Sequence, residues 1–211
     1  MPIKRSFYLG RLVVSFLIAT TVFFLIFTLA DTVSYLNYQN TANQNRFIQN
    51  ALDEFSRNAE NISCDDAALR SSLVELDQVG SYIGLLERRF GLRDSRVLAE
   101  KKLYTRLQFQ HFLIIKELNT RCDSRFEPIL FFYSNDPDYI DASQFMGGIL
   151  GAFKERDSAM FMVYSFDVSI GDSTASSLLQ RYNVTSVPSV VLEEREILRP
   201  TNINELVRYF S

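Results

Sequence analysis

Apolar residues fall into three regimes along the chain. The first is unbroken: LVVSFLIATTVFFLIFTLA, residues 12–30, holds no charge, proline or glycine. At about 1.5 Å rise per residue a helix of this length spans roughly 28 Å, close to the hydrocarbon thickness of a bilayer. A cleavable signal peptide also pairs a basic start with an apolar run. The length of the run and the lack of a small-x-small cleavage site after it favour a retained transmembrane helix. The second regime is helical. Ile48, Leu52, Phe55, Ala59 and Ile62 follow the polar tract NYQNTANQNR at alternating spacings of four and three, and no glycine or proline occurs between Gly10 and Gly80. A stalk helix over residues 31–62, continuous with the anchor, is predicted. Its stripe suits packing within the chain, the reading we favour, or a homodimeric coiled coil.

From Asp65 to Phe90 apolar residues recur at Leu69, Leu73, Leu76, Ile83, Leu86 and Phe90, and from about Asp94 to Arg121 at Val97, Tyr104, Leu107, Ile114 and Leu118. Both series have helical periodicity, and the short GLRD link between them forces an antiparallel hairpin. Cys64 precedes the first helix and Cys122 follows the second, so both fall at the open end of the hairpin. A structural disulfide clamping residues 63–125 is therefore expected, in preference to two free buried thiols. His111 falls on the apolar seam of the second helix and reads as a core histidine rather than a catalytic one, since no nucleophile or second histidine accompanies it.

The third regime begins at Glu127-Pro128. ILFFYS is a wholly apolar run, as expected of a strand buried on both faces. A loop, NDPDYID, and a helix ending near Arg156 follow. AMFMVYSFDV then reads as a second buried strand, STASSLLQRYN as a helix, PSVVLEE and EREILRP as a strand, a turn and an edge strand, and NINELVRYF as a closing helix. The order is βαβαββα. Right-handed crossover makes the first two strands parallel, and a turn at Glu194-Arg195 makes the last two antiparallel.

That order, with ILFFYS before a loop and helix, a strand ending in Asp167 and then YNVTSVPSVVL, resembles the thioredoxin fold over residues 128–211. The fold class implied is an α/β thioredoxin-like C-terminal domain after an all-α hairpin and a membrane anchor. The resemblance implies a cis bond between Val187 and Pro188, bordering the family's active site, and Ser186, Val187 and Pro188 are the candidate peptide-binding residues in the groove beside it. It also implies a Cys-x-x-Cys after the first strand, and here the chain departs from it. Pro137 and Ile140 stand at those two positions. Thiol exchange requires a thiolate, so the family's oxidoreductase chemistry is not available to these residues.

Charge and composition narrow the function further. Lys4, Arg5 and Arg11 precede the apolar segment and Asp31 follows it, which places the N-terminus (residues 1–11) in the cytoplasm and the remainder outside, at the cell membrane. That compartment permits disulfides. Residues 128–211 carry six Lys and Arg against eleven Asp and Glu, so there is no basic footprint for a nucleic acid. No cofactor motif and no metal-ligand cluster is present. Asp136, Asp138 and Asp141 lack EF-hand spacing and read as turn and helix-capping residues. Gly147, Gly148 and Gly151 read as close-packing positions, and Asn61 and Asn183 head N-glycosylation sequons. Two functions follow. The favoured one is a membrane-anchored, non-enzymatic protein- or peptide-interaction module. The alternative is an accessory redox protein that cycles Cys64 and Cys122.

Overall fold

A computed structural model describes residues 11–29, 32, 66–122, 126–156 and 161–210. The expected stalk, with its apolar stripe, and Cys64 and Asn61 lie outside them. The chain divides into two units, residues 1–47 and 48–211.

In the first unit, helix α1 (Arg11–Leu29) is long and apolar enough to cross a membrane. Its threonine hydroxyls bond to its own backbone: Thr20 Oγ1 donates to the Phe16 carbonyl and Thr21 Oγ1 to that of Leu17, both at 2.8 Å. A lipid-facing helix must satisfy its polar groups internally in this way.

The second unit opens with α2 (Asp66–Phe90) and α3 (Ser95–Arg121). Gly91, at φ +90°, takes the left-handed position that ends α2, and its N–H returns to the Glu87 carbonyl at 2.9 Å. Asp94 caps α3 by accepting from the Arg96 N–H. Then come β1 (Glu127–Tyr133), α4 (Ile140–Arg156), β2 (Phe161–Asp167), a 3-10 turn at Val168–Ile170, α5 (Ser173–Arg181), β3 (Ser189–Leu192), β4 (Glu196–Leu198) and α6 (Ile203–Tyr209). One mixed sheet forms, in the order β2-β1-β3-β4. β1 and β2 are parallel, and β3 is antiparallel to both β1 and β4.

Strand β1 explains its own composition. Leu130 and Phe132 enter a core shared with α2, α3 and α5, while Ile129 and Phe131 enter a second core with α4 and α6. Successive strand residues point to opposite faces, so a strand covered on both faces must be apolar throughout. Phe132 stacks on Phe166 in the first core, and Phe153, Phe161 and Phe210 cluster in the second. The hairpin thus shares one core with the sheet, across the junction at Glu127.

Strand β2 is an edge, and an open edge invites pairing with another chain. The hairpin covers it. Gln108 of α3 donates to the Ser165 carbonyl at 2.8 Å and accepts from the Ser165 N–H at 2.6 Å, supplying the pair of bonds a neighbouring strand would have made. Farther along, His111 Nδ1 and Tyr164 Oη lie 2.7 Å apart. Asp77 of α2 reaches Lys154 of α4 at 2.7 Å, linking the hairpin to a helix of the opposite face.

Two expectations are corrected. The β3–β4 turn sits one residue earlier than predicted: Arg195 N–H closes on the Leu192 carbonyl, with Glu193 and Glu194 at φ 49° and 57° in the centre. Leu192 pairs with Glu196, so three residues, Glu193, Glu194 and Arg195, make the loop, and the first two take the left-handed backbone. It is tolerated without glycine where Glu194 also accepts from Lys116 and Tyr182. The glycines of α4 are not all packing positions. A Cβ on Gly147 would meet Phe131 at 3.7 Å, but Gly148 and Gly151 face open space.

Candidate functional site

The C-terminal end of β1 is bracketed by two segments. Tyr133 lies opposite Asp167 in the parallel register, and Phe132 lies opposite Ser189 in the antiparallel one. The chain leaving β1 therefore runs between the end of β2 and the start of β3. The crossover helices α4 and α5 lie on opposite faces here, and ligands of open α/β sheets bind at such a switch point, beyond the carboxyl ends of the strands.

On the β3 side the Val187–Pro188 bond is cis. Val187 and Pro188 are half-buried and Ser186 is exposed. Ser189 Oγ donates to the Ser186 carbonyl at 2.7 Å and accepts from Arg199 Nε at 3.1 Å, holding the start of β3 to the chain before it. No hydrogen bond among the described residues engages the backbone of Val187.

In the centre, the loop after β1 is ordered by its own polar groups. Ser134 is buried, its Oγ accepts from the Asp136 N–H at 3.0 Å, and its N–H donates to Ser143 Oγ. The Asp136 carbonyl accepts from the N–H groups of Tyr139 and Ile140, which starts α4, and Asp141 stands in the first turn. The Asp136 carboxylate pairs with Arg93 of the α2–α3 link at 3.2 Å. Asp136 thus serves the turn, the start of α4 through its carbonyl and a surface pair, while Asp138 lies within the turn and Asp141 in the first helical turn. Among the described residues no cluster suits a metal ion.

On the β2 side lies a group that sequence reasoning missed. Lys101 of α3 is 4% exposed and pairs with Asp167, 2% exposed, and with Glu87 of α2 at 2.9 Å. Asp167 also accepts from Asn135 Nδ2 at 2.9 Å and from the Ser169 N–H at 3.0 Å. Burial opposes the charge on Lys101, but the Asp167 and Glu87 carboxylates, with the Tyr133 phenol beside them, outweigh it and hold its pKa above the ordinary lysine value. Desolvation raises the Tyr133 phenol to about 12. One carboxylate thereby joins the hairpin to the loop after β1. The available signal was spacing: Lys101, Gln108 and His111 fall on the same three-and-four series as Val97, Ile115 and Leu118.

His111 is buried against Tyr164, as expected of a core histidine. Burial lowers its pKa to about 4, so the ring is neutral. Cys122 is the C-cap of α3, its N–H donating to the Leu118 carbonyl at 2.8 Å, and among the described residues there is no free cysteine. Asn183 is exposed at φ 54°, immediately before buried Val184.

Compared with known family models, curated proteins and solved structures, the chain matches none.

Proposed function

We propose that the chain is a single-pass membrane-anchored protein, N-terminus cytoplasmic, whose extracytoplasmic residues 128–211 form a thioredoxin-like domain without thiol chemistry that binds a protein partner in an extended conformation. The observation that carries this reading is the loop after β1, set between the end of β2 and the start of β3, which holds Pro137 and Ile140 where a dithiol would stand. The element order βαβαββα and the parallel β1–β2 pair support it. That no hydrogen bond among the described residues engages the Val187 backbone supports strand addition by a peptide, which needs no reactive side chain.

A photo-crosslinking amino acid at Ser186 of the membrane-embedded protein tests the groove. A discrete protein adduct at Ser186 and none at the same probe on Glu155, an exposed residue of α4, is the expected result. Equal labelling at both positions would remove the groove from the account.

The accompanying proposal is that Cys64 and Cys122 form a structural clamp across the open end of the hairpin. Its support is the place of Cys122 at the end of α3, with Cys64 the one other cysteine in the chain. In a redox titration with alkylation and mass readout, the bond should stay closed down to about −300 mV. Opening near −200 mV would favour the alternative, a pair that cycles in the service of a partner oxidoreductase.

A further inference from the structure

Between the hairpin and the ends of β1 and β2 lies a cavity of about 220 Å³, its lining part polar and part apolar. Gly80, Gly84 and Glu87 of α2 line it, with Lys101, Tyr104 and Thr105 of α3 and Asp167 of β2. Gly80 admits the Tyr104 ring end to this wall, since a Cβ there would come within 2.7 Å of Tyr104 Oη.

The polar groups around this space are only partly spent. Lys101 engages Glu87 through Oε1, and no hydrogen bond among the described residues reaches Glu87 Oε2, Tyr104 Oη or Thr105 Oγ1. Thr105 is 2% exposed and Tyr104 is half-buried. Both hydroxyls open onto the cavity, where a polar occupant would pair with them. Water would satisfy the hydroxyls. It would not balance the charge of the lining groups, one ammonium against two carboxylates, with the exposed Arg88 guanidinium outside the cavity, 3.6 Å from where a Cβ on Gly84 would stand. The free oxygen belongs to Glu87, whose side chain is 22% exposed and marks the way in.

We propose that this cavity is a binding site for a compact amine carrying an oxygen acceptor. The ammonium lies on Glu87 Oε2, and the oxygen accepts from Tyr104 Oη and Thr105 Oγ1. At roughly 30 Å³ for each water-sized group, the space holds about seven non-hydrogen atoms. The excess carboxylate selects against anions. Nothing in the assignment requires the groove at Val187–Pro188.

The test is calorimetric titration of the full chain in detergent micelles with four probes: ethanolamine, glycinamide, neutral acetamide and anionic glycolate. Both amines should bind saturably, with acetamide and glycolate at least about tenfold weaker. Tyr104→Phe and Thr105→Val, which keep shape and remove a hydroxyl, should each weaken the amines by about fivefold to tenfold. Glu87→Gln should erase the preference for amine over acetamide. No saturable binding of either amine up to about 10 mM would leave a cavity that holds water alone and overturn the assignment. Glycolate binding as well as the amines would overturn the chemical class. Amine affinity unchanged in all three variants would place the binding elsewhere on the molecule.

Discussion

Lys101→Met is expected to lower the unfolding free energy by about 3–5 kcal/mol, the range seen when one partner of a buried ion pair is deleted. The reason is what remains. Asp167 is 2% exposed and would be left with only Asn135 and Ser169 as partners, while Glu87 would lose the one ion pair it makes among the described residues. A surface pair such as Arg93–Asp136, exposed on both sides, should by contrast contribute about 0–1 kcal/mol. The comparison that isolates the cause is a double-mutant cycle. Asp167→Asn retains most of the shape and can still accept from the Ser169 N–H, so Lys101→Met with Asp167→Asn should be less damaging than the sum of the two single changes by at least about 1.5 kcal/mol. Urea unfolding followed by circular dichroism measures all four proteins. If Lys101→Met costs under about 1 kcal/mol, the lysine is solvated and the link between hairpin and sheet is not made through Asp167.

The helices and strands were legible for a common reason: each has one periodicity that burial imposes. The 3.6-residue period placed α2 and α3, Gly91 ended the first, and the unbroken apolar run announced β1. The cis Val187–Pro188 bond was also expected, but from the resemblance of YNVTSVPSVVL rather than from any pattern of polarity. Periodicity names a face without saying what lies against it. The seam of α3 contains Lys101, Gln108 and His111 because its neighbour is an edge strand with open backbone groups and a terminal carboxylate, not a second apolar surface. Polar residues on an apolar seam are therefore informative when a strand edge needs partners. The single-sequence reading instead took only His111 from that series. The turn was misplaced for a related reason. Glu193 and Glu194 carry no local preference for a left-handed backbone, and their conformation follows from the β3–β4 register and from the bonds that Glu194 makes to Lys116 and Tyr182.

His111 should make the stability of the fold steeply dependent on pH between about 6.5 and 4. Its ring is fully buried beside Tyr164, and desolvation, only partly opposed by Asp77, lowers its pKa from the ordinary 6.5 to about 4. A base whose pKa falls on folding is protonated first in the unfolded chain. As pH drops through 6.5 the unfolded state takes up a proton that the folded state refuses until pH 4, so the contribution is complete above 6.5 and lost across that window. The interval corresponds to about 3 kcal/mol at 1.36 kcal/mol per pH unit. Carboxylates titrate near the lower limit as well, so the informative quantity is a difference. His111→Gln, unable to accept a proton on its side chain, should start less stable than the parent at pH 7.5 because it gives up ring packing and the contact with Tyr164. It should then lose less as the pH falls, and the gap between the two proteins should narrow by about 3 kcal/mol from pH 7 to pH 4. Parallel curves for the two proteins over that range would mean that the imidazole titrates normally, and hence that water reaches the seam between α3 and β2.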